Sequence, residues 1–189
     1  MSFAQTTEAL AAIIGLLGVW FTIKQRPLGW FFGTLGSALY VLIFFNARFY
    51  AESILQLFYV FMGVYGWLRW RGDEQKPFHI LRMNAPIWLL FLFALTALTW
   101  GVGALLDHFS NTDVPYMDAF LASGGLLITL LMARKYLENW VLWIIFDALS
   151  AGWYWHRELH FTALLYFAFA ALALQGNFQW FKQWKTQSA

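Results

Sequence analysis

Seven apolar stretches, separated by breaks of only a few polar residues, leave this chain few ways to fold. A helix that crosses the hydrocarbon core needs ~20 mainly apolar residues. In lipid, only helices and closed barrels satisfy their own backbone groups. The stretches cover about 6–23, 28–46, 51–69, 86–106, 118–133, 139–156 and 161–180. They predict an all-α polytopic membrane protein with seven transmembrane helices. Composition agrees: the 189 residues are 61% hydrophobic and only 12% charged, where soluble domains carry about a quarter charged residues. Twelve Trp, twenty Phe and eight Tyr suit aromatic belts at the two interfaces.

The breaks are short and carry their own reasons. Pro27 cannot continue a helix interior, so Lys24-Gln25-Arg26-Pro27 closes the first stretch. Asn46-Ala47-Arg48 closes the second, and Arg71 to Pro77 begins the longest basic loop. Asp107 to Asp118 is an acidic loop, and Arg134-Lys135 and His156-Arg157-Glu158 mark the last two turns. With seven spans, one side holds Lys24, Arg26, Arg69, Arg71, Lys76, Arg82, Arg134, Lys135, Lys182 and Lys185. The other holds Arg48 and Arg157. The positive-inside rule then places the N-terminus outside and the C-terminus in the cytoplasm. No Lys or Arg precedes Lys24, so the N-terminus lacks the basic region of a cleaved signal peptide.

A shift of 110 residues aligns the first three stretches with the last three without a gap. Gly15-Leu16-Leu17 falls on Gly125-Leu126-Leu127, Trp30 on Trp140, Ala38-Leu39 on Ala148-Leu149, Gly66 on Gly176, and Trp70 on Trp180. One extra helix separates the triplets, so both triplets start on the same side. This is a 3+1+3 parallel repeat, as in full-length SWEET-like carriers. The expected units are a first three-helix repeat with its cytoplasmic loop (1–84), a linker helix and extracellular loop (85–117), and a second repeat with the tail (118–189).

In a repeat-built carrier the substrate site lies near the midplane between the halves. Asn139, Trp143 and Asp147 are spaced four apart and share one face of the sixth helix. An intramembrane carboxylate costs at least ~2.5 kcal/mol on insertion scales, which makes Asp147 a site candidate by default. The register puts Gly33, Ser37 and Tyr40 opposite Trp143, Asp147 and Ser150. Gln56, Tyr59, Gly63 and Trp67 share a face of the third helix and fall on Tyr166, Phe169, Ala173 and Asn177 of the seventh. One acidic wall with aromatic neighbours suits a flat cation, since a cation over an indole gains ~0.5–2 kcal/mol. Trp70 and Trp180, near helix ends, are expected to anchor at the interface. Gly33 and Gly36 with Ser37 are expected to form a close helix-packing surface, and Pro27 and Gly29 are hinge candidates.

Several function classes lack their residues. Without cysteine there is no thiolate metal site and no Cys nucleophile. His156 and His160 resemble a metal face but have no third ligand in view. No Ser, His and Asp set lies at matching depths, and no glycine-rich phosphate loop is present. The net charge of +2 shows no nucleic-acid footprint. The reading is therefore a carrier, not an enzyme, with no cofactor. Its partners are the lipid bilayer and a small molecule.

The run Arg134-Lys135-Tyr136-Leu137-Glu138-Asn139-Trp140 followed by Trp143 resembles the Pnu family of bacterial vitamin transporters. So do Phe49-Tyr50-Ala51-Glu52-Ser53 through Gln56 to Tyr65-Gly66-Trp67-Leu68-Arg69-Trp70, and Gly176-Asn177-Phe178-Gln179-Trp180. The resemblance implies an inner-membrane homotrimer that carries a B-vitamin precursor by facilitated diffusion. Cytoplasmic phosphorylation would trap the cargo. It carries binding roles onto Gln56, Asn139 and Trp143, and less directly onto Asp147 and Asn177. The short N-terminus and Asp147 favour the family's thiamine branch slightly over its nicotinamide riboside branch. The alternatives are a sugar carrier of SWEET type and a membrane receptor that moves nothing.

Overall fold

A computed structural model describes residues 3–46, 50–72, 79–110 and 112–187, with side chains described from Leu10 onward except at 50–52. Seven helices run through these residues: α1 (Phe3–Ile23), α2 (Leu28–Asn46), α3 (Tyr50–Gly72), α4 (Ala85–Phe109), α5 (Pro115–Ala133), α6 (Glu138–His156) and α7 (His160–Gln187). Arg48 and Lys76 of the charge asymmetry, the side chain of Glu52 and most of the loop after Gly72 lie outside the described residues.

The helices match the apolar stretches closely, and where they run longer the reason is local. Helix α5 starts at Pro115 because a proline at the first helical position loses no bond the helix would have made. Helix α4 starts behind Asn84, whose side chain accepts from the Ile87 amide at 3.2 Å. Helix α7 passes Trp180 to reach Gln187, since Phe181 to Gln187 contain no Gly or Pro to stop it. Helices α2, α4, α5 and α7 are long and apolar enough to cross a membrane. Helices α3 and α6 have the length, at 23 and 19 residues, but more polar side chains. These two also carry most of the candidate site.

The largest helix contacts join α2 to α3 and α6 to α7, followed by α4 to α5 and α1 to α2. Smaller contacts join α5 to α6, α1 to α7 and α3 to α5. The α1–α7 and α3–α5 contacts exchange when 110 residues are added within one triplet and subtracted in the other.

The same exchange holds at atomic detail. The indole of Trp70 donates to the Ala133 carbonyl at 3.1 Å, and that of Trp180 to the Ile23 carbonyl at 3.3 Å. Trp30 meets Trp70 edge-on at 5.5 Å and 84°, and Trp140 meets Trp180 at 5.4 Å and 83°. Gly66 lies under the Trp30 ring as Gly176 lies under that of Trp140. The turn after α1 and the turn after α5 place Gln25 and Lys135 at φ 58° and 64°. Each closes with matching bonds, Arg26 N–H to Phe21 C=O and Tyr136 N–H to Leu131 C=O, both 3.0 Å. This is a left-handed helix cap built on a non-glycine residue.

Trp70 and Trp180 are therefore not interfacial anchors. They are 2% and 0% exposed, and their rings lie 6.0 Å apart at the centre of a core with Ile23, Trp30, Ala133 and Trp140. Position near a helix end suggested a belt; the meeting of two such ends buries both. The small-residue surface forms where α1 and α2 approach, with Gly18 against Gly29 and Gly36 against Ile14. Gly33 belongs to the same approach, its backbone nitrogen 3.2 Å from where a Cβ on Gly18 would stand, although a Cβ of its own would point into open space.

The segment before α4 is a strap and not simply a solvated basic loop. Leu81 N–H donates to the Lys135 carbonyl, and Leu137 N–H to the Leu81 carbonyl, both at 2.9 Å. Glu138, 7% exposed, accepts from Arg82 Nε at 2.5 Å and from the Met83 amide at 3.0 Å. The Arg82 guanidinium sits 4.8 Å from the Trp184 ring, and Ile80 N–H bonds Gln187.

Two predictions follow from this packing. Trp70→Phe and Trp180→Phe each leave a buried carbonyl unmet and should cost ~1–3 kcal/mol, by similar amounts. Thermal unfolding of the detergent-purified protein reads this, and a loss confined to one variant would deny their equivalence. Gly176→Ala places a Cβ 2.6 Å from the Trp140 ring and should lower the unfolding temperature. Gly33→Ala, with nothing within 4 Å, should leave it unchanged or raise it, because alanine favours the helix by ~1 kcal/mol.

Candidate functional site

Helix α6 carries a column of polar and aromatic residues down one face. A side chain recurs on that face every three or four residues, which places Asn139, Trp143, Asp147, Ser150 and Tyr154 in line. Apolar side chains of α6 turn elsewhere: Leu142 and Phe146 enter a second core with Phe91, Ile128 and Leu131.

Asn139 is fully buried and donates through Nδ2 to the Tyr136 carbonyl at 2.5 Å. Its Oδ1 has no partner among the described residues, and neither has Nε1 of Trp143 one turn on. A buried polar atom without a partner costs ~1–3 kcal/mol, so one turn of α6 presents an unmet acceptor and an unmet donor. Both are atoms a polar ligand could satisfy.

Asp147 is 5% exposed. No Lys, Arg or His forms an ion pair with it among the described residues. Its surroundings are phenolic. Tyr59 of α3 and Tyr166 of α7 both lie within reach of its charge, with Tyr154 of α6 among them. Tyr154 stacks on Tyr166 at 5.3 Å and 22° and shares a side-chain hydrogen bond with it. The Tyr59 hydroxyl lies against Gly125 of α5, and Trp143 approaches the same glycine, 3.7 Å from where a Cβ would stand. Four helices thus converge: α3 and α7 bring hydroxyls, α5 brings a glycine that admits them, and α6 brings the carboxylate and the indole.

Of the residues expected from sequence, Tyr59, Trp143, Asp147 and Tyr166 meet here, with Asn139 two turns away on the same face. Gln56 lies about one turn before Tyr59 on α3 and is half-buried, as is Asn177 on α7. Among the described residues no hydrogen bond ties either to Asp147. Trp67 stands apart, two turns beyond Tyr59, with the Arg71 guanidinium 5.5 Å from its ring. Tyr154 and Gly125 join the cluster although sequence reasoning passed over them. The signal for Tyr154 was its position seven residues after Asp147. For Gly125 it was the register: Gly15 faces Phe169, 3.5 Å from where a Cβ would stand, as Gly125 faces Tyr59. His156 and His160 gather no third ligand, and no metal-sized group of His, Asp and Glu occurs among the described residues.

Comparison with known proteins bears on the whole chain. A profile of a family described as nicotinamide mononucleotide transporter matches residues 5–182. The nicotinamide riboside transporter PnuC of Escherichia coli K12 is 25% identical over 200 residues, spanning 92% of this chain and 84% of its own length. PnuC of Neisseria mucosa is 26% identical over 196 residues, spanning 95% and 73%. The riboflavin/roseoflavin transporter RibM of Streptomyces davaonensis is 23% identical over 124 residues, spanning 63% and 58%. A crystal structure of the vitamin B3 transporter PnuC superposes with a TM-score of 0.76 at 23% identity, covering 95% of this chain and 82% of that one. The fold is shared with that transporter. The chain is a multi-pass protein of the bacterial inner membrane, and it belongs to the nicotinamide mononucleotide transporter family.

Proposed function

We propose that this protein is a uniporter for a cationic B-vitamin precursor, bound against the α6 column. The observation that carries the proposal is Asp147, a buried carboxylate without a basic partner among the described residues, one turn from an indole and close to the hydroxyls of Tyr59 and Tyr166. In a medium of low dielectric such a carboxylate attracts a cation far more strongly than in water. The Trp143 face would stack on a flat charged ring. Asn139 Oδ1 and Trp143 Nε1 would take the ligand's polar edges, with Gln56 and Asn177 lining the path to them.

The slight sequence preference for thiamine yields to the named relatives, so nicotinamide riboside leads and thiamine follows. Both carry one fixed positive charge on an aromatic ring, and either would satisfy the Asp147 wall. A neutral sugar would make no use of that charge. Phosphorylation in the cytoplasm would trap the imported vitamin.

We further propose the 3+1+3 arrangement, with repeats in 1–84 and 118–189 around the linker helix α4, the N-terminus outside and three copies per assembly. The paired interactions 110 residues apart support the repeat. Alternating access then follows from two similar halves rocking about their shared tryptophan core.

Isothermal titration with nicotinamide riboside, thiamine and uncharged nicotinamide tests the site. Asp147→Asn should weaken the two cations at least tenfold and leave nicotinamide nearly unchanged. Equal loss for charged and uncharged ligands would reject the charge role. Trp143→Phe keeps a ring but removes the indole, and should weaken the cations by about 2- to 30-fold, the range of a cation–π contact. Trp140 cannot serve as a control, because it is 1% exposed and packs on Gly176 and Trp180. Tyr65→Phe, on an exposed face of α3, should bind as wild type does.

A further inference from the structure

The two halves of the bundle differ most where the turn between their first two helices meets the end of their third. In the second half this position is filled by the chain itself. The strap pairs Leu81 with the strand-like backbone around Tyr136, and Arg82 and the Met83 amide engage Glu138. In the first half the equivalent position is an open cleft of about 410 Å³, lined by Arg26, Pro27, Leu28, Trp67 and Arg71.

The cleft has a chemistry of its own. Among the described residues no carboxylate lines it. The Arg26 and Arg71 side chains are exposed, and neither forms an ion pair with a carboxylate among the described residues. The Arg71 guanidinium is held over the Trp67 ring at 5.5 Å. The first turn of α2 begins at Leu28, so its positive dipole end lies at the same cleft. Pro27, Leu28 and the Trp67 indole make the rest of the lining apolar, and Leu28 is 47% exposed. Where the second half places a carboxylate that its own strap neutralises, the first half places two arginines with no carboxylate paired to them among the described residues.

We infer that this cleft is a binding site for a phosphate group, held by the guanidinium groups of Arg26 and Arg71 beside the Trp67 ring. Two guanidinium groups facing one opening suit phosphate oxygens, which accept paired hydrogen bonds from each fork. The apolar lip beside them matches the glycerol and first methylenes of an anionic phospholipid. A free phosphate compound presents the same oxygens without that apolar partner. The site is separate from the α6 column: Trp67 lies two helical turns from Tyr59, and no lining residue is shared with the Asp147 cluster. The inference therefore stands or falls independently of the cargo.

Native mass spectrometry of the full-length protein in detergent tests it. The probes are short-chain phosphatidylglycerol, phosphatidylcholine of the same chain length, and glycerol 3-phosphate. Wild type should retain phosphatidylglycerol in preference to phosphatidylcholine. Arg26→Gln and Arg71→Gln should each lower that affinity about five-fold, and the pair about twenty-five-fold. Arg26→Lys with Arg71→Lys should bind more weakly than wild type but more tightly than the Gln pair, because the charge remains and the paired hydrogen bonds of each fork are lost. Arg134→Gln, exposed but outside the cleft, should change nothing. Binding of glycerol 3-phosphate that is lost in the Gln pair would support the same site with a soluble ligand. Equal retention of the two lipids, or a Gln pair that binds like wild type, would overturn the assignment. All these arginines are exposed, so the variants leave the tryptophan core intact, and an unchanged unfolding temperature verifies it.

Discussion

Two indole N–H groups reach across the bundle, each to the last carbonyls of a helix in the other half. Trp70 of α3 bonds Ala133 at the end of α5, and Trp180 of α7 bonds Ile23 at the end of α1. A helix end leaves four carbonyls without intrahelical partners. In a buried setting each unmet carbonyl is costly, so these two bonds satisfy the helix ends and join the halves in one step. The rest of the fold is arranged to permit them. Gly66 and Gly176 make room for Trp30 and Trp140, and those rings in turn set the tilt of Trp70 and Trp180. These bonds give the two triplets a shared buried contact, which suits the rocking motion proposed above.

The symmetry of the pivot contrasts with the asymmetry of everything placed around it. On α2, Gly33 and Ser37 stand where α6 has Trp143 and Asp147. Phe169 stands where α3 has Tyr59. The aromatic-acidic wall is thus built once. The strap repeats the pattern at the bundle end, filling one of two equivalent positions and leaving Arg26, Trp67 and Arg71 around the other. Two similar halves supply the mechanics, and their differences supply the chemistry.

Much of this was legible in the order of residues. Seven helices follow from apolar length, and the ungapped shift of 110 follows from Gly and Trp positions that recur at matching depths. The carboxylate of Asp147 stands out because lipid penalises it. What could not be read is direction. Trp70 and Trp180 near helix ends suit a membrane belt as well as a core, and only the meeting of two halves decides between them. Tyr154 was passed over because a tyrosine near the end of α6 has the same ambiguity. The strap carries no periodicity at all. Its specificity rests on Arg82 finding Glu138 across 56 residues of sequence, a pairing no local rule supplies. Trp67 was placed with Tyr59 by their shared face, yet two helical turns are ~11–12 Å, enough to put it at a different opening.

On the proposed mechanism, an unpaired carboxylate inside the bundle carries a vitamin cation across the membrane. Counterflow in proteoliposomes tests it most directly: vesicles loaded with unlabelled nicotinamide riboside are diluted into the labelled compound, with no ion or proton gradient. Wild-type protein should accumulate label transiently, and Asp147→Asn protein reconstituted at the same density should not. Label entry unchanged by Asp147→Asn would contradict it, as would no entry of either vitamin cation into wild-type vesicles.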